Sequence, residues 1–275
     1  MKRYNPILTL TLILLSLLVF QSRTSYADDH KAAITVLGID EAPNNYVDSA
    51  GKLTGISVDF IKAIMERTGT NQEIPVYPAT RAIKTAESVP GTVTFSLART
   101  PGRENKFHWI SVVTRRKWSL FYLKSKNINL KKFEDARLHG MIGVQRGAIR
   151  EKVLRESGFV NIDSTRTHAQ NVLKLLNGRI DFAFADSGIF AIECSKMNID
   201  INQFEKFESP YSVDTYIVMS NKGTPAHQVE KWIQAAQDIK KEGTFNQIAR
   251  KWQKKYLNEF NLSSKLISNK HLEIH

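Results

Sequence analysis

The strongest constraint in this chain is an alternation. Short apolar runs, each closed by a polar or glycine-bearing turn, take turns with segments whose apolar residues recur every three or four positions. Ile34 to Gly38 reads as a strand. Gly55 to Asp59 then opens a helix, with Ser57 the expected N-cap; Phe60, Ile61, Ile64 and Met65 share one face before Gly69 ends it. Gln72 to Tyr77 reads as a strand again. The pattern returns further on. Met141 to Val144 reads as a buried strand, Ile149 to Glu156 as a helix, and His168 to Leu176 as a second helix with Val172, Leu173 and Leu176 inward and Asn177-Gly178 closing it. Ile180 to Ala185 follows as a strand. Strand, helix, strand is the mark of a parallel sheet flanked by helices, so the expected fold class is α/β.

The start of the chain is of another kind. Lys2 and Arg3 precede the apolar stretch Ile7 to Phe20, and Ser25-Tyr26-Ala27 approximates a small-x-small cleavage site. Fourteen apolar-rich residues fall short of the roughly 20 needed to span a bilayer. The expectation is a signal peptide over 1–27 cleaved near Ala27, with an uncleaved anchor as the alternative. The single cysteine, Cys194, rules out an internal disulfide and a lipid-bearing cysteine at the cleavage site. It lies among Ile189, Phe190 and Ile192 and reads as a small buried apolar residue.

Composition adds exclusions. At 42% hydrophobic and 24% charged, the chain is ordinary for a globular protein. Three of its 39 basic residues, Lys2, Arg3 and Arg23, lie in the first 27 positions, leaving 36 against 27 acids, a net charge of +9. Those basic residues are dispersed: Arg115-Arg116-Lys117, Lys131-Lys132, Lys240-Lys241 and Lys254-Lys255 fall on separate elements without interleaved aromatics. No nucleic-acid partner is therefore expected. The seven histidines show no metal-ligand spacing, and no metal or cofactor is expected.

Candidate binding residues cluster after strand ends. Thr92 to Leu97 reads as a strand with Ser96 near its end, Pro101 and Gly102 break it, and Arg103 follows. A guanidinium there can pair a carboxylate or phosphate with two parallel hydrogen bonds. Gly147-Ala148 forms a glycine turn feeding a helix N-terminus, whose unpaired N–H groups and positive dipole end attract anions. Asp186 ends the strand Ile180 to Ala185, at the edge where open parallel sheets bind ligands; it also fits as N-cap of a helix from Ser187, and both readings stand.

These segments together resemble the family 3 extracellular solute-binding proteins, the periplasmic receptors of amino-acid ABC importers. The residues carrying the resemblance are Thr100, Arg103, Phe107 and Trp109; the G-x-x-x-D of Gly55 and Asp59; the G-V-x-x-G turn ending at Gly147; Gly178, Asp181 and Asp186; and the closing Gly243-Thr244-Phe245 with Lys251-Trp252 and Tyr256. They run from Ile34 to Tyr256. The resemblance implies a two-lobe type II periplasmic binding fold, each lobe a mixed, mostly parallel sheet, with two crossover strands as hinge. One crossover is expected at Ser119 to Leu123, the other at Thr215 to Ser220. Lobe 1 is then 28–119 plus 213–260, lobe 2 is 120–212, and 261–275 is a polar, frayed tail.

By the same resemblance Arg103 clamps a ligand carboxylate and Asp186 holds its ammonium group. Ser96, Ala98, Gly147, Ala148, Tyr46 and Arg81 complete the expected ligand-binding set. Ala148 and Ala98 stand where the family commonly has a hydroxyl residue, and the ligand-loop aromatic is displaced to Tyr46. The implied function is a monomeric, non-enzymatic receptor that delivers a small amino-acid-like ligand to an ABC permease. A receptor for a membrane signalling protein is the main alternative. A dehydratase-like enzyme on the same scaffold is the other, for which Glu41 and Glu104 are the acids nearest the cleft.

Overall fold

The structure, a computed structural model, describes residues 33–48 and 50–275. The segment expected to be a signal peptide lies outside them. Nine strands form one mixed sheet in the order β1-β4-β9-β5-β8-β6-β7, with a hairpin, β10–β11, attached to β5. Here β1 is Thr35–Leu37, β4 Thr92–Ala98, β5 Phe107–Leu123, β6 Ile142–Gln145, β7 Ile162–Thr165, β8 Phe182–Asp186 and β9 Phe204–Ser220; β10 is Ser264–Ile267 and β11 His271–Ile274. A two-stranded ribbon, β2 (Tyr46–Val47) with β3 (Leu53–Thr54), stands apart.

The two crossovers are longer than the sequence suggests. β5 and β9 are each 17 residues and pair antiparallel along their length, from Phe107 opposite Ser220 to Leu123 opposite Phe204. They join what would be two sheets into one. The ladder breaks between Lys117 and Ser119, where β9 loops out through Ser209, Pro210 and Tyr211. A proline has no N–H to give the ladder, so it sits where the ladder is already open. The Ser209 hydroxyl closes the break by donating to the Trp118 carbonyl at 2.7 Å.

Helices cover both faces. We number them α1 (Ile56–Thr68), α2 (Ala79–Ser88), α3 (Ile149–Glu156), α4 (His168–Leu176), α5 (Ser187–Lys196), α6 (Ala226–Lys241) and α7 (Thr244–Phe260). One apolar core gathers α1, α6 and α7 against β1, β4 and the first half of β5, with Phe60, Trp232, Phe245, Trp252 and Tyr256 buried in it. Two others lie beyond the β-bulge: Trp118, Leu120, Phe133, Phe159, Phe182 and Phe184 on one face, and Phe121, Phe190, Phe204 and Cys194 on the other. Burial raises the Cys194 thiol to about 12, in keeping with an inert packing role.

Four local expectations are corrected. α1 is capped by Gly55, not Ser57, because Gly55 at φ 134° makes the turn while the Ser57 hydroxyl, already in the first helical turn, bonds Ser96 at 3.0 Å. Gln72 to Tyr77 contributes only a single bridge, Val76 to Gly38. In α4 the buried positions are Asn171, Val172 and Leu175, while Leu173 is exposed. The polar tail is no tail: Leu262, Leu272 and Ile274 are buried in the first core, and β11 pairs parallel with β5 through Leu272 and Thr114. Among the described residues no helix is long and apolar enough to cross a membrane.

Candidate functional site

β6, β7 and β8 run parallel, so their carboxyl ends share one edge, and α3, α4 and α5 each start there. Facing that edge is the loop Ile39 to Asn45. Asn44 is fully buried; its amide donates to Thr215 Oγ1 and its carbonyl oxygen accepts from Thr114 Oγ1, both at 2.9 Å, which fastens the loop to β9 and β5. Tyr256 donates to the Pro43 carbonyl at 2.8 Å. The loop then meets the start of α5, where a Cβ on Gly188 would lie 2.4 Å from Pro43 Cγ. Only glycine allows this approach.

Between loop and edge lies a charged cluster. Asp186 is fully buried and its Oδ1 accepts from the Gly188 and Ile189 N–H groups at 3.0 and 3.1 Å, the N-cap of α5. Its Oδ2 faces Arg116 Nε at 3.3 Å. The same guanidinium donates to Glu41 Oε1 at 3.2 and 3.3 Å and to the Ala42 carbonyl at 3.4 Å. Burial alone would lower the pKa of Arg116, but Asp186 and Glu41 outweigh it and hold the group above its ordinary value.

A second arginine lies close by. Arg150, in the first turn of α3, is 6% exposed, with its guanidinium carbon 5.8 Å from the Trp118 ring centre and Nη2 3.2 Å from His168 Nε2. Burial, then the charges of Arg150 and Arg116, push His168 down to about 3, so its ring is neutral and Nε2 accepts from Arg150. Among the described residues Arg150 touches no carboxylate within ion-pair distance, and Arg150 Nε, His168 Nδ1 and Trp118 Nε1 are buried without hydrogen-bond partners.

Of the expected binding residues, the structure gathers four. Arg103, Ala98, Gly147 and Ala148 line one cavity of about 660 Å3, with Thr100 and Lys152 beside them. Arg103 is half-buried, donates to the Ala98 carbonyl at 3.2 Å, and has its pKa lowered by burial, which Glu87 and Glu41 only partly offset. The turn amides are committed internally: Gly147 N–H donates to Glu151 Oε2 at 2.7 Å and Ala148 N–H to the Gln145 carbonyl at 3.2 Å. Glu151, reaching back from the third helical position, supplies the anion that the dipole favours. Bonds from Ser164, Arg155 and Gly147 hold that carboxylate down to about 2.

The other four lie elsewhere. Ser96 sits at φ 62° in a β4 bulge with its hydroxyl turned to Ser57 and Asn45. Tyr46 packs edge-on against Trp252 and Phe260. Arg81 is exposed on α2, over the Tyr77 ring. Asp186, expected to face an ammonium, has its carboxylate between its own helix and Arg116. Of the two candidate acids, Glu104 is paired on the surface with Arg99, whose hydrogen bond lowers its pKa, and Glu41 is bound to Arg116. Arg116 and Arg150 are the residues the sequence reading missed. Among the described residues no cluster could hold a metal ion.

The fold, a mixed sheet flanked by helices with two long strands running through both halves, is that of the type II periplasmic binding proteins. The family model for the bacterial extracellular solute-binding proteins, family 3, matches residues 35–255, and the chain belongs to that family. No curated protein matches it by sequence. Its fold is similar to a histidine kinase sensor domain with similarity to periplasmic binding proteins, at TM-score 0.66 and 18% identity over 81% of this chain and 96% of that one. It is similar also to an ABC uptake transporter substrate-binding protein from Streptococcus pneumoniae with bound histidine, at TM-score 0.64 and 19% identity over 83% and 94%. A third is the ancestral amino acid-binding protein AncCDT-1, a precursor of cyclohexadienyl dehydratase, at 0.61 and 20% over 80% and 95%.

Proposed function

We propose that this protein is a periplasmic receptor that captures a small amino-acid-like solute and delivers it to an ABC importer. The observation carrying the reading is the shared cavity. Arg103, Ala98 and Thr100 come from the strand-end segment before β5, Gly147, Ala148 and Lys152 from the turn into α3, and about 660 Å3 lies between them. A ligand touching both sides favours the arrangement in which they meet, and only such differential contact drives closure. Arg103 is the side chain assigned to the ligand carboxylate. Export by a signal peptide cleaved near Ala27 accords with the family's extracellular setting and would show as a mature N-terminus at Asp28 by mass spectrometry.

The second reading, a sensor that docks a membrane signalling protein, is favoured by the likeness to the histidine kinase sensor domain. Both readings require a ligand. A thermal-shift screen against amino acids, small peptides, organic acids and sugars tests them together. Ligand at a hundred times its Kd adds about 2.7 kcal/mol, several degrees for a chain of this length. The expected result is a shift lost in Arg103→Ala; a binding-competent Arg103→Ala removes that residue from the site. Co-purification with a permease rather than a kinase separates importer from sensor.

A further inference from the structure

The charged cluster at the sheet edge does not balance locally. Its buried members are two guanidinium groups, Arg116 and Arg150, and one carboxylate, Asp186. Glu41, the remaining acid, keeps 34% of its side chain exposed. Both acids lie within ion-pair distance of Arg116, Asp186 also caps α5, and their charges reach Arg150 only from farther away, without outweighing its burial. Arg150 is left with a neutral imidazole at one amino group and nothing at Nε. A buried charge that no carboxylate contacts is costly, and such burial persists only where something compensates it.

Its position says what that compensation is. Helical side chains lean toward the helix N-terminus, and α3 begins at the carboxyl end of β6, so Arg150 sits at the edge where open parallel sheets generally bind ligands. His168 and Asp186 start α4 and α5 on the same edge. The preceding residue, Ile149, lines the cavity that holds Arg103. Asp186 already has the Arg116 guanidinium 3.3 Å from its Oδ2, although that oxygen makes no hydrogen bond, so an incoming ammonium ion would compete with a cation in place.

We propose that Arg150 receives a second anionic group of the solute, and that the solute is a dianion, a dicarboxylate with or without an amino group, not a neutral or cationic amino acid. This rests on the receptor reading above and narrows it: Arg103 takes one carboxylate and Arg150 the other.

The test is calorimetric binding of L-glutamate, glutarate, L-glutamine and L-arginine to the wild-type protein and to Arg150→Gln. The expected result is binding of at least one dianion and roughly tenfold to hundredfold weaker binding of the amide isostere, the size of a lost charge-assisted hydrogen bond. Arg150→Gln should weaken the dianion by a similar factor and, without ligand, melt no lower than wild type, because it removes a buried charge that no carboxylate contacts. Glutamine or arginine binding as tightly as glutamate overturns the inference and leaves the receptor reading standing. So does a folded Arg150→Gln that binds the dianion unchanged. If no probe binds, the inference falls, and if the wider screen is also silent the receptor reading falls with it. Should Arg150→Gln fail to fold, the acid-to-amide ratio on the wild-type protein decides alone.

Discussion

Arg116 Nε and Asp186 Oδ2 meet at 3.3 Å with side chains 5% and 1% exposed, a charge pair joining the long strand β5 to the N-terminus of α5 where water does not reach. Removing one partner strands the other. Arg116→Met is expected to cost about 3–5 kcal/mol, read from urea unfolding at neutral pH. The double variant Arg116→Met/Asp186→Asn recovers part of that loss because the fully buried Asp186 carboxylate is no longer left without Arg116. Equal stability of the single variant and wild type would contradict the pairing.

Gly188 gives a second expectation. Its missing Cβ makes room for the Pro43 ring, which is held from behind by Tyr256 and Asn44. Gly188→Ala forces the loop and α5 apart, costing about 1–3 kcal/mol. The radius of gyration from X-ray scattering should rise relative to wild type; an unchanged radius with unchanged stability would mean the contact is slack.

Lys240 sets a pH dependence. Its ammonium group donates to the carbonyls of Val112 and Lys270 at 2.6 and 2.5 Å against the Phe60 and Phe245 rings, and burial lowers its pKa to about 7. The unfolded chain keeps that proton to about pH 10.4. Between the two values the unfolded state binds more protons, so this group makes stability rise with pH from about 7 to about 10. Denaturation at pH 7 and 9.5 should show the rise in wild type and a smaller one in Lys240→Met.

The C-terminal hairpin supplies the fourth. Leu272 is fully buried against the first core, so Leu272→Ala is expected to cost about 2–5 kcal/mol in thermal or chemical denaturation. A frayed tail would show no loss.

How much of this was legible depended on whether local pattern or tertiary placement decided it. The α/β class followed from apolar period alone, and the Arg103 and Gly147 segments could be read because glycine and proline punctuate them. Arg116 could not be read so easily: in Arg115-Arg116-Lys117 three basic residues look like a solvated run. Yet β5 alternates, and Arg116 shares a face with buried Trp118 and Leu120, a period-two signal that was available. Arg150 carried no such mark, since a polar first turn is ordinary for a helix. The hairpin was masked by Ser263, Ser264, Asn269 and Lys270, although Leu272 and Ile274 alternate and Asn269, at φ 57°, is a turn residue. The motif puts the amides of Gly147 and Ala148 in the turn before α3, but Glu151 and Gln145 take them, a competition only side-chain geometry reveals.

The pairing of β5 with β9 also sets an order of events. Apart from Ala191 and the half-buried Ile201, the first core draws on residues before Thr114 and after Tyr216, whereas the buried residues of the two cores beyond the bulge lie within Trp118 to Val213. The second group is one unbroken stretch of chain and needs no distant segment to close. The first must wait until β9 returns to a strand about a hundred positions earlier, as Arg115 with Asp214 requires. Loop closure over that span is slow to be rewarded. The inserted half therefore has the means to condense first, and the half carrying Arg103 becomes complete only once the return strand has docked, so the cavity proposed to take the ligand is expected to form late in folding.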